Sequence, residues 1–440
     1  MKINSFGQNL WNRAVKVIPG GNGLLSKRPD RYLPSVWPTY FSSCKGVEVR
    51  DLDGNKFIDM AQMAVGSAIL GYANKELVKA VNKASKKGIN CTLNSPEEVY
   101  LAEKLLELNP FAGGVKFAKT GAEAMSIAIR IARAYCKKDK VAFSGYHGWS
   151  DWYLATNLDK GDNLNNHLLP GLSTYGVPRG LKNTVVPFIY NDIDDFKKVL
   201  ETNPDIGIIC IEGARFEYPS NNFLKAIMEE AKKKQLILIS DEITSGWRIT
   251  DGGVYKVNGF KPDLVVYGKG LGGGYAISAV LGKENIMKEA NNTFISSTMF
   301  TERTGFAAAL KTLEILCENE VWKHLSYIGN MIGDEWLLLA KKYDLDFSVN
   351  EFKPLISLKP HYGDKNNLIN TIFIQEMLKR GYLAANSIYV SYAHNEAIVE
   401  KYIKKVDEVF SLISRAINKK CLDKLLDTKE RSDSFGRLTK

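Results

Sequence analysis

Short apolar segments alternate with helical ones through the middle of this chain, and few architectures accommodate that rhythm. Val115–Ala118, Lys140–Ser144, Gly207–Ile211, Leu236–Ser240, Leu264–Tyr267 and Ala276–Leu281 have strand length and strand composition. Glu97–Asn109, Gly121–Cys136 and Asn222–Lys234 carry helical spacing, with Ala124, Ala128, Ile131 and Ala132 near one face of the second. Apolar strands separated by helices belong to a parallel sheet buried on both faces. The expected fold is therefore α/β: a large domain over 66–310 with a mostly parallel central sheet. A smaller α+β domain is expected from both chain ends, 1–65 joining 311–440. In its first part, Gly46–Gly54 alternates apolar and polar residues and is followed by Lys56–Asp59, the pattern of a hairpin or meander.

Composition narrows the function classes. With 45% hydrophobic and 25% charged residues, the chain is neither disordered nor fibrous. No apolar run reaches membrane-spanning length, and Met1–Ser5 lacks the apolar core of a signal peptide, so no membrane association and a cytoplasmic location are expected. The six cysteines are scattered without a Cys-x-x-Cys pair, which argues against a disulfide framework and a structural metal and fits a reducing compartment. The net charge of +10 is spread along the chain. Without a basic cluster interleaved with aromatics it predicts a solvated surface rather than nucleic-acid binding. An acidic small substrate is a second reason for such a charge.

Ligands of open α/β sheets bind at the carboxyl ends of the strands, and four such ends carry unusual residues. After Val115–Ala118 comes Lys119-Thr120-Gly121-Ala122-Glu123. The helix start there offers free N–H groups to a phosphate, although Thr120 also suits a plain N-cap. After Leu236–Ser240 come two carboxylates, Asp241-Glu242, then Ile243-Thr244-Ser245-Gly246. An aspartate there suits a cationic ring nitrogen, a metal, or a helix or loop cap. Gly145-Tyr146-His147-Gly148 follows Lys140–Ser144; its aromatic ring suits stacking on a planar cofactor, and His147 equally suits a structural role. Most telling is Gly268-Lys269-Gly270-Leu271-Gly272-Gly273-Gly274 directly after a strand. A surface lysine needs no glycine frame. A lysine that bonds a bound aldehyde as a Schiff base does, because it must be shielded from water to become a neutral amine. A dinucleotide fingerprint does not fit: the third glycine position is Tyr275, and Ala276–Leu281 is strand-like where a helix is required.

Taken together, these segments resemble the class III pyridoxal-phosphate aminotransferases, and among them the glutamate-1-semialdehyde 2,1-aminomutases. The likeness runs from Ile18-Pro19-Gly20-Gly21 to Ser391-Tyr392-Ala393-His394. It implies pyridoxal 5'-phosphate as cofactor, Lys269 as the Schiff-base lysine and Asp241 as partner of the pyridine nitrogen. It further implies Ile243 and Tyr146 on the two ring faces, and Thr120, Gly121 and Ala122 as the phosphate loop, Ala122 standing where the family has a hydroxyl. His147 and Glu212 match cofactor-site residues, and Thr298, with Thr301 as the alternative, matches a threonine that reaches the phosphate of a neighbouring subunit in a homodimer. The activity implied is amino-group transfer, between molecules or within one; a racemase or decarboxylase would use the same lysine and ring. Two segments depart from the pattern, Gly21–Arg28 and the stretch Leu383–Val390, which lacks the usual acid. Both correspond to substrate-facing parts of the family, so the substrate stays open, with Lys27, Arg28 and Arg215 as candidate readers of an acidic group.

Overall fold

A computed structural model describes residues 5–165, 167 and 170–433. The chain forms two compact units, one comprising 1–74 and 324–440, the other 75–323. The sequence-based boundaries lie at 65/66 and 310/311. The helix Arg303–Glu318 packs on helices Lys75–Ser85 and Pro96–Leu108 of the larger unit, and this carries the observed division past 310.

Among the described residues, the smaller unit contains two sheets. Strands β1 (Phe41–Lys45), β2 (Glu48–Asp51) and β3 (Lys56–Met60) form an antiparallel meander. The larger unit is built on β4 (Gly114–Ala118), β5 (Lys140–Ser144), β6 (Val185–Pro187), β7 (Ile206–Glu212), β8 (Ile237–Asp241), β9 (Leu264–Tyr267) and β10 (Ser278–Gly282). Back in the smaller unit come β11 (Phe347–Val349), β12 (Leu355–Pro360), β13 (Tyr382–Ala384) and β14 (Ser387–Tyr389). β13 joins the meander parallel to β3, and β11, β12 and β14 make the second sheet. His394 ties the Ser391–His394 stretch to the meander: its Nε2 donates to the Asp59 carbonyl at 2.9 Å, while its Nδ1 accepts the Ser391 N–H at 3.0 Å.

The seven-stranded sheet runs β4-β10-β9-β8-β7-β5-β6. Only β10 runs opposite to the other six strands. Alternation along β7 shows why the sheet is covered twice. Ile208 and Cys210 pack into the cluster with Met125, Ile127 and Ala128 of helix Gly121–Cys136. Ile209 and Ile211 point the other way, onto Phe196, Phe223 and Ile227 of helices Ile193–Thr202 and Asn221–Lys234. Successive strand side chains face opposite sides, so a strand sandwiched between helices must be apolar throughout, and every residue of β7 is buried. Burying each large aliphatic side chain contributes ~1.5–3 kcal/mol. Among the described residues no helix is long and apolar enough to cross a membrane.

Candidate active site

Register brings the functional groups together. Glu212 at the end of β7 lies opposite Asp241 at the end of β8, and Asp241 lies opposite Val266 of β9. Lys269 follows two residues after β9 ends, opening a 3-10 turn with a left-handed backbone, φ +35°. Such a conformation is costly for a side-chain-bearing residue and persists where the surroundings impose it.

The Lys269 ammonium is partly solvent-shielded, and its Nζ donates to Thr244 Oγ1 at 2.7 Å. Burial, reinforced by the nearby Arg215 guanidinium, lowers its pKa to about 7, against the opposing pull of Glu212 and Asp241. Neutral-amine character near pH 7 is what a nucleophilic lysine requires.

Asp241 is held from two sides. Its Oδ1 accepts the Ile243 N–H at 3.0 Å, and its Oδ2 lies 2.8 Å from His147 Nδ1. His147 Nε2 lies 3.2 Å from the Ser144 carbonyl oxygen. A carbonyl and a carboxylate both only accept, so Nε2 and Nδ1 each carry a proton and the ring is an imidazolium paired with Asp241. Burial by itself disfavours charge on this ring. Cys210 and Asp241 outweigh that penalty and hold its pKa well above the imidazole range. Burial in turn pushes the Cys210 thiol up.

The two adjacent carboxylates part company. Glu242 turns away from the cluster and accepts from Ser245 Oγ, Ser240 Oγ and the Tyr255 N–H. Burial raises its pKa. It sits where a Cβ on Gly213 or Gly253 would collide with it, and this accounts for the glycine after Glu212. Of the pair, only Asp241 faces the cluster.

Glu212 accepts the Tyr146 N–H at 3.0 Å and pairs with Arg215, whose Nε lies 2.9 Å from Oε1. Burial works against the Glu212 carboxylate, and Arg215 more than compensates, setting its pKa below the usual range. The guanidinium also donates to Thr244 Oγ1 at 3.2 Å and lies 5.9 Å from the Tyr146 ring centre. Arg215, a candidate substrate reader from sequence, is thus committed to an internal carboxylate. Arg28, in the smaller unit, donates to Asp30 at 3.0 Å and to the Gly20 carbonyl at 2.9 Å. Lys27 is exposed in that same segment.

At the start of helix Gly121–Cys136, Thr120 forms a capping box with Glu123: its Oγ1 accepts the Glu123 N–H, and Glu123 accepts the Thr120 N–H at 2.8 Å. Thr120 Oγ1 also donates to Glu123 Oε2 at 3.0 Å. The Gly121 and Ala122 N–H groups make no hydrogen bond among the described residues. Ile243 lies against both Gly121 and Gly268: a Cβ at Gly121 would come within 2.9 Å of its Cδ1. Thr298 is exposed at the start of the turn Thr298–Thr301, and Thr301 is half-buried.

Sequence reasoning did not single out Thr244 as a partner of Lys269, although it lies within the Asp241–Gly246 stretch. It also left the Glu212–Arg215 pairing open. The signal available was the three-residue spacing of opposite charges after a strand, too common to be diagnostic.

Free N–H donors at a helix start, an anionic aspartate backed by a histidine, and a lysine of lowered pKa fit pyridoxal 5'-phosphate: a phosphate site, a ring-nitrogen partner and an amine for the aldehyde. This constellation is a candidate pyridoxal-phosphate site. The aminotransferase class-III family model matches residues 35–371, and the chain belongs to that family. Its cofactor is pyridoxal 5'-phosphate. It is 32% identical over 422 residues to the 3-aminobutyryl-CoA aminotransferase of Cloacimonas acidaminovorans (strain Evry), covering 93% of this chain and 97% of the relative. It is 30% identical over 431 residues to the glutamate-1-semialdehyde 2,1-aminomutase of Francisella philomiragia subsp. philomiragia, covering 91% and 96%. In fold it is similar to the FumI protein of Sphingopyxis sp. MTA144 in its PLP internal aldimine form (TM-score 0.85, 23% identity, 97% and 98% covered). An omega-transaminase from Sphaerobacter thermophilus is also similar (TM-score 0.83, 23% identity, 94% and 98% covered).

Proposed function

We propose that this protein moves an amino group between small amine and carbonyl compounds with Lys269 as both covalent anchor and proton carrier. The observation that carries the reading is the Lys269 amine, shielded, held by Thr244 and lowered to about pKa 7 beside Asp241. When bound, pyridoxal phosphate supplies an electron sink for charge developing on the amine-bearing carbon. Asp241 would partner the ring nitrogen and favour its protonated form, as a neighbouring anion does for a base. His147 fixes the direction of that carboxylate. Ile243 and Tyr146 would hold the two ring faces and the Gly121 and Ala122 N–H groups the phosphate; Glu212 orients the Tyr146 backbone, and Thr120 caps the same turn. Lys269 Nζ, as a neutral amine, would hold and move the proton that the transfer requires.

Borohydride reduction of the purified protein should fix the cofactor to the peptide containing Lys269. Label on any other lysine overturns the assignment.

The finer readings extend the same site. Glutamate-1-semialdehyde, in the name of one of these relatives, carries a carboxylate, which supports an acidic substrate. Arg215 would have to exchange Glu212 for it, and Lys27 and Arg28 are the other candidates. Retention of the intermediate would make the protein a mutase, its release a transaminase. A cytoplasmic location fits six free cysteines. A homodimer with shared sites is supported by apolar exposure around Thr298: Phe294 is 84% and Leu93 78% exposed. The two segments are adjacent, the Arg303 N–H donating to the Ile89 carbonyl. Apolar surface of this kind marks interfaces, and two-fold pairing is the commonest way to cover it. Light scattering should give twice the chain mass at assay concentration; an active monomer would remove Thr298 and Thr301 from the site.

A further inference from the structure

Thr244 is buried in the loop after β8, and three basic side chains converge on it. Lys269 Nζ lies 2.7 Å from its Oγ1, and Arg215 Nη2 donates to the same oxygen at 3.2 Å. Arg248 Nε donates to the Thr244 carbonyl at 2.7 Å and holds the main chain. Arg215 is itself fixed by Glu212, with Nε 2.9 Å from Oε1, and by the Tyr146 ring, whose centre is 5.9 Å away. One hydroxyl thus joins an arginine–glutamate pair to the reacting lysine.

The single hydrogen of that hydroxyl decides which protonation state of Lys269 fits. A threonine hydroxyl has one hydrogen to give and two lone pairs to receive with. A guanidinium stays protonated, so Arg215 gives and the Thr244 oxygen receives. The hydroxyl hydrogen must go elsewhere. Among the described residues Oγ1 lies within hydrogen-bonding distance of Arg215 and Lys269 only, which leaves Lys269 Nζ as its acceptor. A charged ammonium has no lone pair and cannot serve; a neutral amine can. With Lys269 charged, Thr244 receives two hydrogen bonds and its own hydrogen is stranded in a buried place. With Lys269 neutral, Arg215 gives to Thr244 and Thr244 gives to Nζ. Stranding a buried donor is unfavourable, so the geometry by itself selects the neutral amine.

We propose that Arg215 and Thr244 are positioning residues that keep the Lys269 amine neutral and in place while it is not bonded to the cofactor. The inference rests on the Lys269 reading above. It commits Arg215 to the lysine rather than to an acidic substrate, and leaves Lys27 and Arg28 as readers of such a group. The charges around Lys269 act in the same direction. After burial, Arg215 is the strongest influence on its basicity, ahead of the opposing carboxylates Glu212 and Asp241, and Arg248 works with Arg215. His147 faces Asp241.

The test follows the Lys269 charge directly, in cofactor-free full-length protein whose lysines are isotope-labelled at Cε. The Lys269 signal is identified by its loss in Lys269→Ala. Thr244→Val keeps the shape and removes the hydroxyl. It should raise the Lys269 titration midpoint by about one pH unit, the size of one hydrogen bond that only the neutral form accepts. The pH at which capture of pyridoxal phosphate levels off should rise with it, and Thr244→Ser should match the parent in both. Arg215→Met combined with Glu212→Gln leaves no carboxylate of the pair buried alone; it should also raise the midpoint, since Arg215 outweighs Glu212. In the cofactor-loaded double variant, the ratio of kcat/KM for succinic semialdehyde to that for butanal should stay at the parent's value. A midpoint unmoved or lowered in Thr244→Val, or raised equally in Thr244→Ser, overturns the proposal. So does a fall in the acidic-to-neutral ratio with an unmoved midpoint in the double variant, the mark of a substrate reader. The expected midpoints in a protein that transfers no amino group to any acceptor would retain the roles of Arg215 and Thr244 and refute the proposed function instead.

Discussion

Lys269→Ala should abolish amino-group transfer, with a fall of at least about 10⁴-fold. The proton-carrying step alone typically contributes ~10²–10⁴-fold, and the variant loses the covalent anchor as well. The structure adds a pH signature. Only the free base attacks an aldehyde, and the Lys269 pKa is lowered to about 7, chiefly by burial. The rate at which cofactor-free protein captures pyridoxal phosphate should therefore rise with pH and level off soon above 7. An amine at the ordinary lysine value of ~10.4 would still be gaining at pH 9. Stopped-flow absorbance reads both quantities. Residual transfer within a factor of ten of the parent would place the chemistry on another lysine, and a capture rate still climbing at pH 9 would show that Lys269 is solvated.

The second large effect is expected at Asp241. Asp241→Asn keeps the shape and the Ile243 N–H contact at 3.0 Å but removes the charge that holds a proton on the ring nitrogen. A group that acts as charge develops typically contributes ~10²–10³-fold, so kcat should fall by that factor while cofactor is still bound. His147 provides a second readout. Burial lowers its pKa, and Cys210 and Asp241 raise it above the imidazole range. With the carboxylate gone the burial penalty is less opposed, and the ring should titrate lower than in the parent. Nitrogen chemical shifts of His147 across pH would show this. A near-normal rate with an unmoved His147 would mean that a different residue holds the ring nitrogen.

Much of this site was legible in the chain because it depends on local pattern. A strand of period two, a turn and a helix of period 3.6 are set by neighbours in sequence, so β5, β9 and the helix Gly121–Cys136 fall where periodicity puts them. Lys269 stands out because glycines surround it, and Thr120 because a helix begins beside it; an N-cap was one of its two anticipated uses, and the structure adds Glu123 as its reciprocal partner. The likeness to class III aminotransferases then ordered the strand ends along the chain.

What only the tertiary structure decided is partnership between residues far apart or on opposite faces. Asp241 and Glu242 are equivalent as adjacent acids until the strand turns one toward His147 and the other toward Ser240, Ser245 and Tyr255. Arg215 reads from sequence as a free cation; folding places Glu212, Thr244 and Tyr146 around it. The division at 74/75 and 323/324 follows from packing between helices distant in sequence, Arg303–Glu318 lying on Lys75–Ser85 and Pro96–Leu108. Local propensity determines where strands and helices form, because it acts over a few residues. Charge pairing and burial depend on which strand ends the sheet order β8-β7-β5 sets side by side, and no single segment carries that information.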